Sequence, residues 1–256
     1  MVPRFADRTA AGRELATALV GRWAGQQVVV LGLARGGVPV AVEVARALPA
    51  DLDVVVVRKL GVPGQPELAM GAIGPGGVRV LDETVVRQLG VTEHAIEQVA
   101  AGEAIELRRR EREYRGGRPL VGLTGRTVVL VDDGLATGAT LCAAVLCVRA
   151  AQPGTVVVAV PVASPEGRRR VEGVADEVVC LHTPSSFGAV GAFYSRFGQT
   201  TDEQVRAPGV RARPPSADVR SADVRSADVR SAVRDSHLSG TRRTHAGTLP
   251  APARFR

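Results

Sequence analysis

Aromatic residues are scarce. Phe, Tyr and Trp make up 3% of the 256 residues, although 45% are hydrophobic. The core must therefore be aliphatic, and Val, Ala, Leu and Gly dominate, as in sheets covered by helices. Cysteine is nearly missing too. Cys142, Cys147 and Cys180 form no CxxC pair and leave an odd thiol, which argues against a disulfide framework or a zinc site. They read as small buried hydrophobes in a reducing cytoplasm. No apolar run approaches the ~20 residues of a membrane span. The opening MVPRFADRTAAGRE has no signal-peptide core. A cytoplasmic protein with no membrane partner is expected. Lysine is the rarest charged residue: Lys59 is the one lysine among 33 basic residues.

The net charge of +7 is unevenly placed. Residues 206–256 hold eleven Arg and four Asp, which is the whole excess; residues 1–205 hold twenty-two basic and twenty-two acidic residues. The basic balance therefore says nothing about partners of the folded part. In the tail, SADVR occurs three times between Ser216 and Arg230. A period of five fits no solenoid, and the apolar content is too low for a core. A disordered, Arg-rich, low-complexity tail over 206–256 is expected. Such tails can hold nucleic acid electrostatically, but a tolerated extension is the simpler reading, and a nucleic-acid partner is not expected.

Residues 1–205 alternate between helical and strand patterns. Helices are expected over 7–23 and 38–48, and strands over 27–32 (QVVVLG) and 53–57. A further strand, 127–131, leads through an acidic loop into a helix reaching about 151. Strands 155–160 and 177–181, with a helix between them, complete the set. Fully apolar strands separated by helices predict an α/β fold with an open, mainly parallel sheet flanked by helices. Such sheets bind ligands at the carboxyl ends of their strands, near a topological switch point. The loops LARGG (33–37) and DDGLATGAT (132–140) both follow strands directly, so they could meet there. The stretch 58–126 interrupts the pattern as an insertion. Within it, GAIGPGGVRV predicts a β-hairpin with a GPGG turn. A charged helix follows over 93–115, with i,i+4 pairs such as Glu106 with Arg110 and Glu111 with Arg115. Its charges read as a solvated face.

The sharpest feature is VVLVDDGLATGAT, residues 128–140. An apolar strand runs into Asp132 and Asp133, then into a small-residue loop that opens a helix. Two carboxylates can hold a diol or a metal. The backbone amides of Gly134–Thr140 and the helix N-terminus make an anion site. Thr137 and Thr140 add hydroxyl donors. A ribose 5-phosphate carries both kinds of group. No GKT or GKS marks a Walker loop, and no GxGxxG fingerprint is present. Arg35, between Ala34 and two glycines, can bring guanidinium and backbone to an anion.

This motif resembles the signature of the type I phosphoribosyltransferases, and the resemblance extends over about residues 5–205. It implies binding of 5-phosphoribosyl 1-pyrophosphate (PRPP) with Mg2+, attack of a nitrogen nucleophile on C1, and release of pyrophosphate. Asp132 and Asp133 would hold the ribose hydroxyls, directly or through magnesium-bound water. Gly134, Leu135, Ala136, Thr137, Gly138, Ala139 and Thr140 would form the 5-phosphate loop. Arg35-Gly36-Gly37 looks like the family's pyrophosphate loop, and Arg58-Lys59 sits where the family often places a basic contact to PRPP. The 58–126 insertion would supply the flexible loop that closes over PRPP. Ala136 stands where hypoxanthine-type members usually carry an aspartate that accepts a proton, which counts against that plan. The acceptor implied is a small nitrogenous compound, in the first place a nucleobase.

A hood over the base is expected from 182–205. HTPSSFGAVGAFYSRF (182–197) gathers Phe187, Phe193, Tyr194 and Phe197, of which Phe187 and Tyr194 are the stacking candidates. Phe5 and Asp7-Arg8 are candidates for the same cap, and Glu67 is a possible loop acid. Two alternatives differ in class: a catalytically silent PRPP sensor that binds nucleic acid, and a binding module that has lost activity. Dimers are common among the proteins this chain resembles.

Overall fold

The computed structural model describes residues 4–206. Five parallel strands form the main sheet: β1 (Val28–Leu33), β2 (Asp51–Val55), β6 (Thr127–Val131), β7 (Thr155–Val162) and β8 (Glu177–His182), in the order β2-β1-β6-β7-β8. Side chains alternate across β1. Val28 and Val30 join α1 (Arg8–Trp23) and α2 (Gly37–Ala47) through Leu15, Leu19, Val40 and Val44. Val29, Leu31 and Leu33 join α5 (Ala139–Arg149) through Leu141, Val145 and Val148. Two covered faces explain why these strands read as unbroken apolar runs. The predicted fold class and strand set are therefore observed. Among the described residues, no helix is long and apolar enough to cross a membrane.

The insertion holds more structure than its sequence announced. The predicted hairpin is present: β4 (Gln65–Ile73) pairs antiparallel with β5 (Arg79–Leu81), and Gly76 and Gly77 take positive φ in the turn. A third strand, β3 (Arg58–Val62), pairs with β4 on its other side. The expected strand 53–57 is corrected accordingly: β2 ends at Val55, and the chain enters a second sheet at Arg58. The apolar run VVVV spans this junction, so hydrophobicity alone could not mark it. A short helix, α3 (Glu83–Gln88), was also unanticipated. Asp82 caps it by accepting from the Thr84 and Val85 amides at 2.9 and 3.1 Å.

Helix α4 (Glu93–Arg115) keeps its predicted bounds and ends at the left-handed Gly116. Both predicted i,i+4 pairs form, at 2.7 Å for Glu106–Arg110 and 2.6 Å for Glu111–Arg115. The helix is nevertheless not solvated all round. Ile96, Ala100, Leu107 and Tyr114 pack with Leu60, Val62, Met70 and Ile73 of the second sheet, and Val205 of α7 (Asp202–Arg206) joins them. Apart from Arg206, which ends α7, the predicted tail lies outside the described residues.

Candidate functional site

The switch point falls between β1 and β6. From β1 the chain crosses through α2 to β2 on one side; from β6 it crosses through α5 to β7 on the other. Gly32 is in register with Val131, so the two following loops leave the sheet side by side. They are in contact. A Cβ on Gly37 would overlap the Val131 carbonyl oxygen and sit 2.8 Å from the Asp132 Cα, and one on Gly36 would overlap the Asp133 carboxylate. Glycine at both positions is what lets the loop that carries Arg35 pack against the acid pair. The Ala34–Arg35 peptide is cis.

The acid pair is tightly held. Asp132 Oδ1 accepts from the Asp133 amide at 2.8 Å. Arg8 Nε donates to Asp133 Oδ2 at 2.7 Å, and the Tyr194 hydroxyl donates to the Asp133 carbonyl at 2.6 Å. Burial raises the Asp132 carboxyl well above the usual carboxylate range, and the neighbouring Asp133 charge adds to it. Burial also raises Asp133, against the opposing pull of Arg8.

Beside the pair lies a pocket of about 480 Å³, lined by Arg8, Arg35, Gly36, Asp133 and Phe197–Thr200. Arg8 stacks over the Phe197 ring at 4.0 Å and donates to the Gly198 carbonyl at 2.7 Å. Arg35 faces Asp202 of α7 at 3.7 Å. That carboxylate also accepts from the Tyr114 hydroxyl at 2.8 Å.

The loop 134–140 is braced from the far side by α6 (Pro165–Glu172) and the residue before it. Leu135 donates to the Val162 carbonyl at 2.9 Å, and the Ser164 hydroxyl donates to the Ala136 carbonyl at 2.5 Å. Arg170 donates to the Thr137 carbonyl at 3.1 Å. Gly134, Leu135 and Gly138 are buried, whereas Ala136, Thr137, Ala139 and Thr140 are exposed. Gly138, at φ 81°, turns the chain into α5. The result is a rigid, outward-facing loop at a helix N-terminus, suited to an anion.

Other predicted residues lie elsewhere. Arg58 and Lys59 are on β3, Arg58 bound to Glu103 of α4 at 2.6 Å and Lys59 3.4 Å from Glu67. Neither lines the pocket at Asp133. Phe187 stacks on Phe193 with centroids 5.4 Å apart. Tyr194 is buried between Phe5 and Phe197, so its ring packs the segment down while its hydroxyl steadies Asp133. Arg8, a weaker candidate in the sequence, is the acid pair's direct partner. Gly198–Thr200 and Asp202 fall within the expected hood segment 182–205 but were not singled out, and Tyr114 was not anticipated, because nothing in their spacing marks a site.

The phosphoribosyl transferase domain model matches residues 5–196. Two proteins of Mycobacterium tuberculosis, from strains CDC 1551 / Oshkosh and ATCC 25618 / H37Rv, are each 55% identical over 203 residues, and their names assign them provisionally to the phosphoribosyl transferases. The match covers 79% of this chain and 46% of each relative, so the chain spans less than half their length. The crystal structure of a Thermus thermophilus protein superposes with a TM-score of 0.74 at 51% identity, over 80% of this chain and 97% of that one.

Proposed function

The chain belongs to the phosphoribosyl transferase family, and from that membership we propose that it moves the 5-phosphoribosyl group of PRPP to a nitrogen acceptor and releases pyrophosphate. One observation carries this reading: the Arg35-Gly36-Gly37 loop packs directly on Asp132-Asp133 at the switch point, next to the braced loop that opens α5. In this reading a diol partner, a diphosphate partner and a monophosphate nest share one sheet edge.

In the proposed reaction the acceptor nitrogen lone pair forms a bond to C1. The C1–oxygen bond breaks, and its electron pair leaves with pyrophosphate. Asp132 and Asp133 hold the ribose 2- and 3-hydroxyls, while the amides and hydroxyls of 136–140 hold the 5-phosphate. Arg35 offsets charge growing on the leaving group. Catalysis is then mainly positioning and charge stabilisation. Ala136 offers no proton acceptor, so a nucleobase that needs no acid at that position fits best. Arg8 shields Asp133 until the ligand engages.

The donor chemistry suits Mg2+. Two adjacent hard carboxylates, both pushed toward protonation by burial and Asp132 further by its neighbour, gain from a divalent cation. Groups of three or more metal-ligating side chains do not occur among the described residues, so these acids would hold the ion largely through water. When bound, it would neutralise diphosphate charge.

Phosphorus NMR of PRPP with Mg2+ and a pool of purine and pyrimidine bases tests this reading. Base-dependent release of pyrophosphate is expected, and splitting the pool names the acceptor. PRPP signals that neither shift nor decay would overturn the proposal.

A further inference from the structure

A second charged concavity sits at the far end of α4. Arg108, Arg112 and Arg115 recur at i, i+4 and i+7 and so share one helix face. Gly116 and Gly117, both at positive φ, turn the chain back. Arg118 then returns to the same end. Its backbone N–H and Nε donate to the Arg115 carbonyl at 3.2 and 3.1 Å, and Arg115 Nε donates to the Arg118 carbonyl at 3.3 Å. With Glu111 and Gly117, these four arginines line a pocket of about 220 Å³ that shares no residue with the pocket at Asp133.

Arg115 forms a fixed floor. It is 6% exposed, bound to Glu111 at 2.6 Å and to the Val54 carbonyl at 3.2 Å. Glu111 is the single acid in the lining, and it is occupied by Arg115. Arg108 and Arg112 have no side-chain partner among the described residues. Their neighbours on other faces differ: Arg109 binds Glu106 and Glu113, and Arg110 binds Glu106. The helix dipole favours cations in a last turn. It does not account for Arg108 and Arg112 standing without side-chain partners beside the pocket, next to Arg115, which is held by Glu111, and Arg118, which like Arg115 also acts on the buried Asp53 carboxylate.

We propose that this pocket is a second anion site, taking a small, multiply charged oxyanion of the phosphate class. Guanidinium forks match phosphate oxygens in pairs. The volume lies below the ~300 Å³ at which pockets for drug-sized ligands begin, so a diphosphate-sized anion fits better than a whole nucleotide. The site does not depend on the transferase reading.

Calorimetric titration of the full chain with inorganic pyrophosphate, under chelator, tests it. Saturable binding is expected, weakened about tenfold or more in Arg108→Gln/Arg112→Gln. Both positions are exposed, so this variant should fold, which circular dichroism checks. Binding should persist in Arg35→Gln, and in Arg109→Gln/Arg110→Gln, which removes equal charge from outside the pocket. Absence of saturable binding in the parent chain, or binding unchanged by the pocket variant, would overturn the proposal. So would loss in Arg35→Gln alone, which assigns binding to the acid-loop edge, or equal loss in both double variants, which marks general attraction. A ten-residue RNA that binds this face far more tightly than pyrophosphate would replace the small anion with nucleic acid.

Discussion

At the scale of single residues, Asp132 and Asp133 are costly side chains to keep. Burial raises both carboxyls, and each sits in the other's field. A chain selected for stability alone would place apolar or amide residues there. Asp132→Asn with Asp133→Asn should therefore abolish PRPP turnover while leaving the fold intact; pyrophosphate release and a thermal melt, run together, check both halves. Gly37 makes a different point. Its missing Cβ is what allows the two loops to touch, and the atoms in the way are backbone. Gly37→Ala should cost about 1–3 kcal/mol, read by denaturant unfolding. An unchanged midpoint would mean the loops are not packed as described. Neither contact is visible as a pattern in the chain. The acids and glycines are legible as residue types, but the distance between 37 and 132 is not.

Among the elements, α1 does more than cover the sheet. Asp7 accepts from the Ala10 amide at 3.0 Å as its N-cap and binds Arg196 at 2.6 Å, tying the first helix to the segment that carries Tyr194 and Phe197. The cap, then the Arg196 pair, lower the Asp7 pKa below its ordinary 3.8. A lowered folded-state value gives stability that is present above about pH 3.8 and lost as pH falls through the lower value. Asp7→Ala should therefore cost about 1 kcal/mol at pH 7, and the gap to the parent should close on acidification. Melting curves at pH 7 and near pH 3 would show it; a gap that widens in acid would contradict the assignment. Helix α7 plays the matching part at the other end. Its Asp202 bridges Tyr114 of the insertion and Arg35 of the glycine loop. Tyr114→Phe frees that carboxylate, and should alter the KM for PRPP more than kcat, as steady-state kinetics would read.

For the whole molecule, the excess charge is gathered at one end of the sequence. Residues 1–205 are neutral, and the excess of +7 follows them. Among the described residues, those lining the pocket at Asp133 run from Arg8 to Thr200. Removing residues 207–256 should leave PRPP turnover nearly unchanged and abolish any salt-dependent binding to polyanions that the tail confers. A large loss of turnover would place the tail in the site. The parallel sheet was legible because its inner strands β1, β6 and β7 are buried on both faces, which leaves unbroken apolar runs bounded by loops. The strand β3 and helix α3 were not, since the run 54–57 hides a junction between two sheets. By itself, then, the sequence determined the sheet, its helices and the acid-to-threonine loop, because hydrophobic burial and local backbone chemistry act over a few residues. Only the tertiary structure decided that Arg8 binds Asp133, that Asp202 faces Arg35 and that Tyr194 is packed under the acid loop. Those contacts join segments 61 or more residues apart, and spacing along a sequence carries no record of them.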